Sequence, residues 1–113
     1  MPQVKAETAA GEVAFQAESG TRLVLALEDA GVDILHRCGG NARCTTCRVE
    51  VLSGDPGPIR DAEAAILATK SDLNERTRLS CQILVNDDLN VKVVNQASVV
   101  GVDAGPRPED QIQ

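Results

Sequence analysis

Four cysteines, and their spacing, constrain this chain more than any other feature. Cys38, Cys44 and Cys47 fall within ten consecutive positions in the pattern C-x5-C-x2-C, and thirty-three residues separate Cys47 from Cys81. Three thiols on one short loop converge only if the loop wraps a common centre. The fourth must be delivered by the fold. The neighbouring residues suit that task. Gly39 and Gly40 allow positive φ and let the backbone approach a bulky centre closely. Asn41 and Ala42 keep the loop compact, and Arg43 completes it before Cys44. Thr45 and Thr46 add hydroxyl donors.

Cysteines in a reducing setting point to a metal or redox site before a disulfide framework. A loop of this kind can aim several backbone N–H groups inward. Such dipoles stabilise thiolates and bridging sulfides and set a reduction potential. An iron–sulfur cluster is the best match. A structural zinc commonly draws on two C-x2-C knuckles, and this chain has one. A thioredoxin-like pair at Cys44 and Cys47 leaves Cys38 and Cys81 unexplained. Both stand as weaker alternatives. His36 lies two residues before Cys38, but a Rieske site needs two His in place of two Cys, and the sequence has one His. It reads as a loop residue.

The length, 113 residues, fits one domain. Eleven basic against seventeen acidic residues leave a net charge of −6. That balance argues against nucleic-acid binding, which rests on neutralising phosphates. It suits a positively charged protein partner. Phe15 is the single aromatic residue, which excludes a base-stacking platform. No run approaches the ~20 apolar residues of a membrane helix. The first eight residues carry no apolar stretch of the signal-peptide kind. A soluble, cytoplasmic protein without membrane insertion is the expectation.

The hydropathy pattern predicts an opening hairpin, from Val4-Lys5-Ala6-Glu7-Thr8 through Gly11 to a strand with Val13, Phe15 and Ala17 on one side. A helix is expected from about Arg22 to Ala30, capped by Thr21 and ended by Gly31, with Leu23, Ala26, Leu27 and Ala30 inward and Val24 and Leu25 widening the stripe. An irregular segment from Ile34 to Cys47 follows. Arg48 to Leu52 reads as a strand with Val49 and Val51 inward. The run Ser53-Gly54-Asp55-Pro56-Gly57-Pro58 reads as a loop. Asp61 to about Thr69 reads as a second helix, with acidic residues in its first turn and Ala62, Ala65, Ile66 and Thr69 as its inner face. Ser80 to Val85 and Leu89 to Val93 are the expected closing strands, joined by a turn at Asp87 and Asp88. Gly105, Pro106 and Pro108 mark an extended or mobile tail over 101–113.

On these cysteines the chain resembles the 2Fe-2S ferredoxins, from about Val4 to Val94. The segment Arg78-Leu79-Ser80-Cys81-Gln82 is similar to the Arg-Leu-x-Cys-Gln signature around that family's fourth ligand. The resemblance implies an α+β fold of the β-grasp type, a mixed sheet packed on one main helix with a second short helix, spanning residues 1–100. It implies one 2Fe-2S cluster, with Cys38 and Cys44 on one iron and Cys47 and Cys81 on the other. The implied function is a soluble one-electron carrier between a reductase and an acceptor enzyme, not itself an enzyme; no nucleophile–base pair is present. A redox- or iron-sensing 2Fe-2S module, or a zinc-stabilised interaction domain, are the alternatives. Five residues between the first two cysteines depart from the photosynthetic plant type, which has four. They match bacterial and adrenodoxin-like groups and ferredoxin domains fused to reductases. Arg48 stands where adrenodoxin-type proteins carry His, so the fused bacterial set is the nearer match. By the same resemblance, Asp61, Glu63, Asp72 and Glu75 form a candidate docking patch. Arg78 reads as a brace for the fourth-ligand segment.

Overall fold

The structure, a computed structural model, describes residues 2–9, 11–34, 47–59, 61–68, 76–94 and 96, all except the side chain of residue 62. In chain order the elements are β1 (Gln3–Thr8), β2 (Gly11–Gln16), β3 (Thr21–Arg22), α1 (Leu23–Asp29), β4 (Arg48–Ser53), α2 (Asp61–Leu67), β5 (Thr77–Leu79), a 3-10 turn (Ser80–Gln82), β6 (Leu84–Val85) and β7 (Leu89–Val93).

Alternation sets the register of the first hairpin. Val4 and Ala6 are buried while Lys5 and Glu7 face out, and Val4 pairs with Phe15 across to β2. The main sheet has five strands in the order β2-β1-β7-β4-β5. Its first and last strands in sequence, β1 and β7, lie side by side and parallel, and the remaining neighbours are antiparallel. The Asp88 carboxylate accepts the Gln3 backbone N–H at 2.8 Å and fixes the start of that parallel pair. This mixed sheet against α1 is the expected β-grasp arrangement.

Helix α1 has seven residues, too few to be stable alone. Its stability comes from packing: Leu23 through Leu27 are all buried in the core with Val4, Val49, Leu79, Ile83 and Val91. Its end is as the sequence indicates. Gly31 takes φ +92°, and the Gly31 and Val32 N–H groups return to the Glu28 and Leu27 carbonyls at 3.0 and 2.9 Å. That is a Schellman closure. Its start differs from expectation. Thr21 belongs to β3, paired with Val85, and Arg22 occupies the N-cap position without a side-chain capping bond. The first helical N–H, on Leu23, donates instead to the Ile83 carbonyl at 2.8 Å. A backbone partner from another segment thus replaces the hydroxyl cap.

The expected strand from Ser80 to Val85 is broken in two. The main sheet keeps only Thr77–Leu79, the chain turns through Ser80–Gln82, and Leu84–Val85 pairs with β3 in a separate two-stranded sheet. Ser80, Cys81, Gln82 and Ile83 are all buried there, and the Cys81 carbonyl is taken by the Arg22 side chain rather than by a neighbouring strand.

Helix α2 presents Glu63, Ile66 and Leu67 inward, while Ala65 is exposed. The inner face is therefore rotated from the expected one, of which Ala62 and Thr69 lie outside the described side chains. Among the described residues, no helix is long and apolar enough to cross a membrane. The expected tail, 101–113, lies outside the described residues.

Candidate metal centre

Cys47 and Cys81 come together because of a strand register. Arg48 of β4 pairs with Leu79 of β5. Their neighbours, Cys47 and Ser80, therefore face one another just beyond the ladder. The Ser80 N–H and hydroxyl both donate to the Cys47 carbonyl, at 3.1 and 2.7 Å. Cys81 follows immediately in the 3-10 turn rather than in the strand expected from sequence. Both cysteines are fully buried thiols. Cys38, Cys44, the intervening Gly39, Gly40, Asn41, Ala42 and Arg43, the following Thr45 and Thr46, and His36 lie outside the described residues.

Two side chains converge on Cys81, one from within the signature and one from far along the chain. The Gln82 side-chain amide donates to the Cys81 Sγ at 3.6 Å. Arg22, 1% exposed, donates from Nε and Nη2 to the Cys81 carbonyl at 2.9 and 2.8 Å. Gln82 is hinted at by its place beside the cysteine. Arg22 carries no such signal, since its partner is a backbone atom 59 residues away. Two buried thiols, with an N–H donor aimed at one sulfur, fit a thiolate-bound metal centre of the iron–sulfur kind.

The 2Fe-2S iron-sulfur cluster binding domain family matches residues 7–86. The chain belongs to that family. As a 2Fe-2S ferredoxin domain it carries one cluster and serves electron transfer. Among curated proteins it is similar to a subunit of the Na(+)-translocating NADH-quinone reductase of Marinomonas sp., 33% identical over 94 residues that make up 83% of this chain and 22% of that protein. The corresponding subunit from Chlamydia felis is 36% identical over 76 residues, 67% of this chain and 17% of that protein. The chain thus spans about a fifth of the length of these relatives. Among solved structures it is similar to the ISC-like 2Fe-2S ferredoxin of Pseudomonas putida (TM-score 0.76, 25% identity, 83% of this chain and 93% of that one). A ferredoxin of Rhodopseudomonas palustris gives TM-score 0.70 and 30% identity over 84% of this chain and 99% of that one. The covalent putidaredoxin reductase–putidaredoxin complex contains a further neighbour, at TM-score 0.70 and 28% identity over 83% and 99%.

The ferredoxin's acidic helix needs one correction. Glu63 is not a docking residue: it is fully buried. Its carboxylate accepts from Arg78 Nε and Nη2 at 2.7 and 2.9 Å and from the Leu79 N–H at 2.9 Å. Arg78 also donates to the Gly57 and Pro58 carbonyls at 2.9 and 3.3 Å. One ion pair therefore ties α2, the 54–59 loop and β5 together, two residues upstream of the turn that holds Cys81. Arg78 is the brace its place in the signature suggests. From sequence alone Glu63 reads as a surface residue of an acidic first turn, because its partner stands 15 residues away. Asp61 is exposed, as a docking role requires, and Asp72 and Glu75 lie outside the described residues.

Proposed function

We propose that this ferredoxin domain is a soluble one-electron carrier that takes electrons from a reductase and delivers them to an acceptor enzyme, catalysing no bond chemistry of its own. We assign Cys38, Cys44, Cys47 and Cys81 as the ligands. The observation that carries the reading is the Arg48–Leu79 register, which sets Cys47 and the Ser80–Cys81 step against each other in a buried place. When bound, the cluster supplies a one-electron couple between an all-ferric and a mixed-valence state. The protein's share is positioning. Ser80 fixes the Cys47 backbone, Gln82 offers an N–H to the Cys81 sulfur, and the Glu63–Arg78 pair steadies the approach to Cys81. The apolar core around both thiols excludes water, which protects thiolate ligands and sharpens electrostatic tuning. The net charge of −6 suits a basic reductase surface, with Asp61 as the described member of the patch. The cytoplasm is the compartment we assign.

The test uses composition. With no Trp or Tyr in the sequence, the polypeptide adds almost nothing near 280 nm, and absorption there or in the visible reports a bound chromophore. Iron and acid-labile sulfide in equal amounts, and loss of the visible bands in Cys81→Ser, are expected. A colourless protein holding zinc would overturn the reading. The similarity to a subunit of the NADH-quinone reductase favours a second reading, in which the domain relays electrons within such a reductase system. Rapid reduction by a separate flavoprotein reductase supports the free carrier. Reduction only within a membrane preparation that oxidises NADH supports the relay.

A further inference from the structure

Cys81 is gripped by a cation where a neutral donor would satisfy it. Its carbonyl sits in a 3-10 turn, buried, and needs a partner. A serine, glutamine or backbone N–H would serve. The fold instead brings Arg22 from the start of α1 and points two guanidinium N–H groups at that single oxygen. Burying a guanidinium is costly in lost hydration unless its surroundings repay it. Position 22 is also where a helix start favours Ser, Thr, Asp or Asn, and none of these is present. The N-cap side chain is thus given over to Cys81, while Ile83 supplies the acceptor for the first helical N–H.

We propose that Arg22 is a positioning residue for the cluster. Its fork locks the Cys81 turn, and its charge favours the reduced state. The proposal rests on the assignment of Cys81 as a ligand. On reduction the site takes one electron from an external donor such as dithionite and gains one unit of negative charge, with no bond formed or broken. A positive charge held a few bonds away in a low-dielectric interior interacts more favourably with the more negative state. Removing the charge therefore makes reduction harder. Removing the fork loosens the turn and speeds loss of iron.

Two substitutions separate these effects. Arg22→Gln keeps an N–H donor and removes the charge; its reduction equilibrium is expected to shift about tenfold toward the oxidised form, which is about 59 mV for one electron. Arg22→Lys keeps the charge and loses the planar fork. Its potential is expected to stay within a twofold shift of the equilibrium, while iron release to a chelator accelerates at least threefold. The potential is read by spectroelectrochemical titration and release by the decay of visible absorption. An Arg22→Gln potential equal to that of the wild type overturns the proposal, as does an Arg22→Lys potential displaced tenfold. If Arg22→Gln retains no cluster, Arg22→Lys decides alone: faster release at an unchanged potential supports the proposal, and wild-type release refutes it. Failure of the ligand assignment has a different signature, a Cys81→Ser protein that keeps the wild-type spectrum.

Discussion

Arg22 and Arg78 flank the same turn, are 1% and 5% exposed, and each grips a different partner. Arg78 meets a carboxylate. Its fork matches the two oxygens of Glu63, and its remaining N–H groups reach two loop carbonyls. Arg22 directs two N–H groups at the carbonyl of Cys81. The first arrangement joins three segments by an ion pair, so its value lies in the integrity of the fold. The second places a charge beside a sulfur-bearing residue, so its value lies in the energy of that site. One buried arginine of this protein thus braces the fold, while the other both braces and charges a single site.

The comparison breaks most visibly at Glu63. Glu63→Ala leaves a buried guanidinium without its counter-charge and the Leu79 N–H without its acceptor, and unfolding measurements are expected to show a loss of about 3–5 kcal/mol. Replacing both partners, Glu63→Met with Arg78→Met, is expected to recover most of that loss, because an apolar pair removes the stranded charge. A double variant as unstable as the single one would mean that the carbonyl bonds of Arg78 dominate. The Arg22 substitutions come next, with their signal in potential rather than in unfolding. Ser80→Ala is smaller. It removes the hydroxyl bond to the Cys47 carbonyl and keeps the backbone one, so about 0.5–1.5 kcal/mol is expected by chemical denaturation. Smallest is Asp61→Asn. Being exposed, it is expected to change stability by no more than about 0.5 kcal/mol. In stopped-flow it should slow association with a basic reductase at low salt, an effect that vanishes as salt is raised.

Much of the fold is legible in the sequence because local rules decide it. The β1–β2 alternation, the Gly31 stop after α1, the strand beginning at Arg48 and the alternation of Leu89, Val91 and Val93 each follow from a few neighbouring residues. The cysteine spacing belongs to the same class of signal. What escapes the sequence depends on partners far along the chain. At Ser80–Gln82 the strand gives way to a turn whose Cys81 carbonyl is held by Arg22, 59 residues away. Glu63 turns inward because Arg78 meets it there; an acidic first turn gives no hint of that. Thr21 loses the capping role because Ile83 supplies the acceptor for the first helical N–H. In each case a long-range bond outweighs a local preference worth about 1 kcal/mol.

The parallel union of β1 with β7 has a consequence for biosynthesis. β7 is the middle strand of the sheet, yet among the described elements it is the last to leave the ribosome. Until it emerges, the N-terminal hairpin and the β4–β5 pair have no strand between them to join. Non-local pairing of this kind delays assembly. A nascent chain halted before Leu89 can therefore already own the Cys47–Ser80 junction and still lack the keystone that makes one sheet of it.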